Sequence, residues 1–251
     1  MERIELARGG VEYRRIEGAQ PTLVMLHEGL ACAELWRDLP DELARRTGRA
    51  VLVYSRYGYG ASDPRPAPWP RSYMHDEAID VLPALLTALD IDDYVLIGHS
   101  DGGSIALIHA GGTPAEGLRG VVSLAAHVFT EPSGTASIRA AGKAYESGGL
   151  RERLARYHKD VDGCFRGWHD TWTEPSFEDW NLEGYLPAIE VPVLVVQGTD
   201  DEYGTQAQVD AIAKGCRRAT PLVLDNCGHI IHRDQREALV AAVVDFVAGL
   251  D

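Results

Sequence analysis

Gly98-His99-Ser100-Asp101-Gly102-Gly103 lies between two segments of opposite character. Before it, Tyr94-Val95-Leu96-Ile97 is an apolar run that reads as a buried strand. After it, Ser104-Ile105-Ala106-Leu107-Ile108-His109-Ala110 reads as a helix. A chain that passes from strand to helix through one serine holds that residue in a strained backbone conformation and lifts its hydroxyl above the sheet. Glycines are expected on both sides, because a β-carbon there would meet the neighbouring strand or helix. Ser100 is therefore the candidate nucleophile.

Outward from this turn, apolar runs alternate with helical patterns, which predicts an α/β fold: a mostly parallel sheet covered by helices on both faces. Residues 4–6 and 12–16 predict a hairpin turned at Gly9-Gly10. Residues 22–26 predict a buried strand that ends at His27-Glu28-Gly29, followed by a helix over 33–46 and a strand over 50–54. Residues 64–70 form a proline-rich loop, and 72–90 a long amphipathic helix kinked by Pro83. Beyond the serine turn, strands are expected at 120–125, 193–197 and 221–224, and helices at 205–214 and 233–248.

From 127 to 186 the pattern changes. This stretch has no strand, shows helical character over 137–147 and 150–162, and carries Trp168, Trp172 and Trp180. We read residues 1–126 and 187–251 as one α/β core and 127–186 as a helical cap inserted between two of its strands. Ligand sites in open α/β sheets lie at the carboxyl ends of the strands, where such a cap would sit.

Lys and Arg number 24 against 38 Asp and Glu, a net charge of −14, which disfavours nucleic acid and anionic membranes as partners. Cys32, Cys164, Cys216 and Cys227 have no paired spacing and read as reduced thiols, with Cys227 a small buried hydrophobe despite its nearness to His229. The N-terminus lacks an apolar leader core, and no run approaches ~18 apolar residues, so a cytoplasmic location is expected. No metal-ligand set and no phosphate-binding glycine loop of the Gly-x-x-x-x-Gly-Lys kind is present, so no cofactor or metal is expected.

A serine hydroxyl is a poor nucleophile at neutral pH. It needs an imidazole to take its proton and a carboxylate to orient that imidazole. In a fold of this kind the three follow in the order serine, acid, histidine, each on a turn after a strand. His229, after an apolar strand and a glycine near the C-terminus, is the candidate base, with His232 as runner-up. The acid is Asp200 or Asp201, and periodicity does not separate them. The negative charge of a tetrahedral intermediate needs two amide donors. Those expected are the N–H of Asp101, at a helix start, and the N–H of Gly29 in the turn His27-Glu28-Gly29.

With these motifs in order along nearly the whole chain, the sequence resembles the α/β-hydrolase superfamily, specifically its capped serine esterase and C–C hydrolase-like branch. His27-Glu28-Gly29, Arg56-Tyr57-Gly58-Tyr59-Gly60-Ala61-Ser62, the serine turn, Gly198-Thr199-Asp200-Asp201 and Gly228-His229 carry the resemblance. It implies an eight-stranded, mostly parallel sheet with the cap over Ser100. It also places the triad acid on Asp201, three residues after Gly198. Glu28 departs from the pattern, which has glycine there. A carboxylate beside the amide donors would contact substrate, act as an acid or base with a raised pKa, or turn into a surface network.

The resemblance implies a serine hydrolase acting on a small to medium carboxylic ester or lactone, with a small molecule as its partner. C–C bond hydrolysis of a vinylogous diketone is the alternative, set back because Ile230 rather than an aromatic follows His229. A non-catalytic binding protein on the same fold is the reading from another class. Glu28, His99, Trp168, Trp172 and Arg166 are the substrate-binding candidates, with Arg166 available for an anionic end of the acyl group. His99 also has a packing role open to it, on the tight side of the turn.

Overall fold

The computed structural model describes residues 1–112 and 116–250. Eight strands form one sheet: β1 (Glu2–Leu6), β2 (Gly9–Ile16), β3 (Ala19–Leu26), β4 (Arg49–Tyr54), β5 (Tyr94–His99), β6 (Leu118–Leu124), β7 (Val193–Gly198) and β8 (Ala219–Leu224). Their spatial order is β1-β2-β4-β3-β5-β6-β7-β8. The pairs β1·β2 and β2·β4 are antiparallel, and every other pairing is parallel.

The helices are α1 (Leu39–Thr47), α2 (Tyr73–Asp76), α3 (Leu82–Ala88), α4 (Asp101–Gly112), α5 (Pro132–Glu146), α6 (Gly149–Leu154), α7 (Val161–Thr173), α8 (Gln206–Gly215), α9 (Ile231–Asp234) and α10 (Arg236–Ala248). Among the described residues, no helix is long and apolar enough to cross a membrane.

The central strands are apolar on both faces because both are covered. Val24, Leu26, Leu52, Tyr54, Leu96 and Val121 join one core with α3, α4 and the helices between β6 and β7. Their sequence neighbours Leu23, Met25, Val51, Val53, Val95 and Val122 join the other, with Leu39 and Leu43 of α1 and Leu239, Val240 and Val243 of α10. The two-residue period of a strand divides one apolar run between two cores.

Several boundaries differ from the sequence reading. The first hairpin turns at Ala7-Arg8, and Gly9 and Gly10 lie inside β2, where Gly9 pairs with Leu6. The helix expected over 33–46 is two pieces: a 3₁₀ turn, Ala33–Trp36, and α1, separated where Arg37 adopts a φ of 57°. The long helix over 72–90 is broken by a π-type turn, Glu77–Val81, just before Pro83. Proline has no N–H to return to the carbonyl four residues back, and the wider turn takes up the mismatch. The helix expected over 150–162 ends at Leu154, and α7 starts afresh at Val161, where the Asp160 carboxylate accepts from the Gly163 N–H at 2.9 Å.

The turn after β5 is built as the sequence requires. Ser100 has a φ of 54°, and its N–H donates to the Leu124 carbonyl at 2.8 Å. A β-carbon on Gly98 would collide with the Gly102 backbone in the first turn of α4, and one on Gly102 with the Leu26 carbonyl of β3. Gly98→Ala is expected to lower unfolding free energy by roughly 1–3 kcal/mol, because backbone must move to admit the methyl. Urea denaturation checks this, and a variant as stable as wild type contradicts the crowding.

Candidate active site

The turns after β3, β5, β7 and β8 meet at one edge of the sheet, where all four strands end. Ser100 follows β5, His229 follows β8, and Asp201 follows β7. The His229 Nδ1 lies 2.9 Å from Asp201 Oδ1 and 3.0 Å from Oδ2. Asp200 is exposed, and its backbone N–H donates to the Cys227 carbonyl at 2.9 Å. Of the two aspartates, Asp201 is therefore the one that meets the imidazole.

Asp201 is surrounded by donors. Its Oδ1 accepts from the Tyr203 N–H at 2.8 Å and the Gly204 N–H at 3.2 Å, and its Oδ2 from Gln197 Nε2 at 2.8 Å. Burial pushes the carboxyl up, but the His229 contact and these hydrogen bonds outweigh it and hold it below the usual carboxylate range. With Nδ1 engaged, His229 keeps Nε2 for the cavity it shares with Ser100. Among the described residues no hydrogen bond joins Nε2 to the Ser100 hydroxyl. In ligand-free sites such contacts commonly close only around substrate.

The cavity has about 670 Å³ of empty space, its open mouth included, and is lined by Ser100, Asp101, His229, Glu28 and Gly29 on the core side. Trp168 and Trp172 of α7, Ile138 of α5 and Tyr203 also line it. Gly29 is required where it stands, since a β-carbon there would strike the Trp168 indole nitrogen. Tyr203, His127, Ile138 and Leu30 line the cavity without having been singled out in the sequence, because only the folding of separate segments onto one another brings them there.

A buried relay runs beneath the two expected amide donors. Trp172 Nε1 donates to Tyr73 Oη at 2.8 Å, and Tyr73 donates to Asp101 Oδ2 at 2.7 Å. Arg56, 2% exposed, lies 3.7 Å from Asp101 Oδ2 and donates to the carbonyls of His27 and Glu28 at 3.2 Å each. The guanidinium thus occupies the two carbonyls that precede the Gly29 N–H. Burial works against its charge, yet the neighbouring Tyr59, Asp101 and Glu77 hold its pKa above the ordinary arginine value.

The remaining candidates fall elsewhere. Arg166 is exposed and lines a separate depression with Trp69 and Arg71, so no lysine or arginine lines the serine's cavity among the described residues. His99 is wholly buried and does not line the cavity either. Its Nε2 meets the His229 carbonyl at 2.8 Å, and its Nδ1 lies 3.1 Å from Glu28 Oε2. Glu28 does reach the cavity wall, but its pKa is not raised. Burial pushes it up, and the charge of His99 more than reverses this, leaving it well below the carboxylate range. His232 packs on Trp36, with ring centroids 5.1 Å apart, away from the serine. Cys227 is buried, its thiol pushed up to about 11 chiefly by burial.

A sequence profile of the alpha/beta hydrolase family matches residues 23–243, which takes in every element from β3 to α10 that builds this cavity. The chain belongs to that family. This alpha/beta hydrolase is 23% identical to a proline iminopeptidase of Lactobacillus helveticus, over 94% of this chain and 93% of the relative. It is 25% identical to a 2-hydroxymuconate semialdehyde hydrolase of a Pseudomonas species, over 93% and 89%. The crystal structure of an enol-lactonase from Burkholderia xenovorans superposes with a TM-score of 0.78 at 22% identity, covering 98% of this chain and all 100% of that one. Three different substrates stand in those names, so the shared property is the hydrolase fold.

Several histidines around the site are held neutral. His27, His127, His158 and His232 all have lowered pKa values, first through burial, with His232 brought down to about 4. The unfolded chain binds protons at these residues as pH falls below the ordinary 6.5, whereas the folded chain resists them. Stability is therefore present above pH 6.5 and lost as pH falls toward 4, the opposite of the contribution from His99, whose pKa is raised. His232→Phe is expected to reduce the drop in melting temperature across that window. An unchanged drop in a calorimetric pH series contradicts the assignment.

Proposed function

We propose that this hydrolase cleaves a small to medium, uncharged carboxylic ester or lactone through an acyl-enzyme on Ser100. The observation that carries the reading is the Asp201–His229 pair, 2.9 Å apart, sharing a cavity with a serine whose backbone is held at a φ of 54°. In this reading Ser100 Oγ attacks the carbonyl carbon while His229 Nε2 takes its proton. Asp201 steadies the imidazolium through Nδ1. The carbonyl oxygen gains charge facing the N–H groups of Gly29 and Asp101, the latter at the start of α4 where the helix dipole adds favourably. His229 then passes its proton to the leaving alkoxide, and a water activated by the same imidazole releases the acid.

The lining favours an uncharged acyl group. Leu30, Leu35, Ile138, Ile230, Trp168 and Trp172 are apolar, Glu28 is ionised, and the cation expected for an anionic end, Arg166, opens elsewhere. The helices α5 to α7 act as the cap, with α7 giving both tryptophans to the roof.

Purified protein is expected to hydrolyse a short p-nitrophenyl ester. Ser100→Ala should abolish turnover, and Asp201→Asn should lower kcat by about 10³–10⁴ by removing the acceptor that fixes the His229 tautomer. Equal rates for wild type and Ser100→Ala would instead identify a binding protein on the hydrolase fold. A panel of lactones, thioesters, amides and vinylogous diketones, ranked by kcat/KM, tests the bond class. A diketone far ahead of every ester overturns the ester reading while keeping the triad.

A further inference from the structure

Glu28 and His99 are the polar pair beside Ser100 that the proposed reaction leaves unused. His99 is the last residue of β5, and its ring is wholly enclosed. Both of its nitrogens face oxygen acceptors: Nε2 the His229 carbonyl at 2.8 Å, Nδ1 the Glu28 carboxylate at 3.1 Å. A carbonyl and an ionised carboxylate only accept, and a neutral imidazole has only one N–H to give. Only an imidazolium presents an N–H to both oxygens. The Nδ1 contact is an ion-pair approach that falls short of hydrogen-bond geometry. Charge, more than direction, therefore joins Glu28 to His99.

We propose that Glu28 and His99 form a second carboxylate–imidazole couple that positions the catalytic histidine through its main chain. Asp201 holds His229 by its ring, and His99 holds it by its carbonyl from the core side. Glu28 supplies the charge that keeps a donor on both His99 nitrogens. Both residues are positioning residues, and the idea rests on His229 serving as the base of the proposed reaction.

The surroundings favour this division of charge. His229 lies with its ring 5.0 Å from His99, and His232 lies 5.4 Å away on the other side, neutral down to about 4. Arg233 and Arg236 add positive potential around His232, and Asp201 adds negative potential at His99. Arg56 donates to the Glu28 carbonyl at 3.2 Å and so fixes the backbone that carries the carboxylate. Burial disfavours the His99 charge, but Glu28, the His229 carbonyl and Asp201 together raise its pKa above the ordinary value. A raised pKa means that the charged ring persists to higher pH than in a free imidazole and is lost as pH climbs past it. The remaining proton would then stay on Nδ1 beside the carboxylate, the lone pair of Nε2 would face the His229 carbonyl, and the anchor on His229 would loosen.

The test compares wild type, Glu28→Gln and Glu28→Ala, each checked for a cooperative melt. Nitrogen-15 spectra of histidine-labelled protein should show His99 as an imidazolium near neutral pH in wild type and as a neutral tautomer in Glu28→Gln. Glu28→Ala is expected to shift the His229 ring signals and to lower ester kcat by about ten-fold, with KM little changed. Glu28→Gln should recover most of that loss, since its amide can donate to Nδ1 while Nε2–H stays on the carbonyl. Wild-type kcat should fall on the alkaline side as His99 deprotonates, a limb that Glu28→Gln lacks. A neutral His99 in wild type, or a folded Glu28→Ala with wild-type His229 signals, kcat and pH profile, overturns the proposal. The spectra judge it even if no ester is turned over, so its failure and that of the serine hydrolase reading are told apart.

Discussion

Everything at the active edge depends on how closely the backbone of α4 approaches the strands around it. The first turn of this helix rests on the ends of β3 and β5, with no room for a methyl group at Gly98 or Gly102. A β-carbon on Gly103 would come within 2.8 Å of the Ala126 β-carbon. That approach forces Ser100 into the left-handed region at a φ of 54°, a conformation costly for any residue but glycine. The bond from the Ser100 N–H to the Leu124 carbonyl, at 2.8 Å, helps to hold the strained residue in place. The reward is positional: the hydroxyl rises clear of the sheet while the next amide, on Asp101, begins a helix pointing at the same space.

Around this turn the protein buries charge where apolar residues would pack more easily. Arg56 and Asp101 are 2% and 1% exposed, and Asp201 sits among a side-chain amide, two backbone amides and an imidazole. Buried ion pairs are weak sources of stability, because desolvation offsets most of their attraction. Their value here is in direction. Each fixes the orientation of a backbone segment, the turn after β3 through the His27 and Glu28 carbonyls and the loop of Asp201 through Tyr203 and Gly204. Low local polarizability also makes such fixed charges act strongly on whatever enters the cavity.

The helices between β6 and β7 are tied into the same system. Trp172 reaches from α7 to Tyr73 and through it to Asp101, so the roof of the cavity is hydrogen-bonded to its floor. Glu131, ahead of α5, accepts from the Thr205 hydroxyl at 2.6 Å and from Gln208 at 2.7 Å, which locks the start of this segment to the acid loop and α8. His158 bridges the Gly60 N–H and the Leu30 carbonyl, at 2.9 and 3.0 Å. A change in the position of α7 would therefore be felt at the turn after β3.

The sequence by itself determined the sheet, the serine turn and the candidates Ser100 and His229, because these follow from short-range rules: apolar runs, glycine spacing and order along the chain. It also left Asp200 and Asp201 side by side, one of which had to face the imidazole. The family resemblance pointed to Asp201, but only the tertiary structure brings its carboxylate to the imidazole, because that contact depends on how the turn after β7 lies against the loop that carries His229. The same holds for Glu28 and His99. Each is one letter in a local motif, and their pairing requires the ends of β3 and β5 to lie side by side with the His229 carbonyl above. Arg166 shows the converse: it stands two residues before Trp168 in sequence, but residues so spaced on a helix point to different sides, and Arg166 lines a different depression with Trp69 and Arg71. Local chemistry is written along the chain, whereas the partner of a buried charge is settled by segments distant in sequence, and no periodicity encodes that.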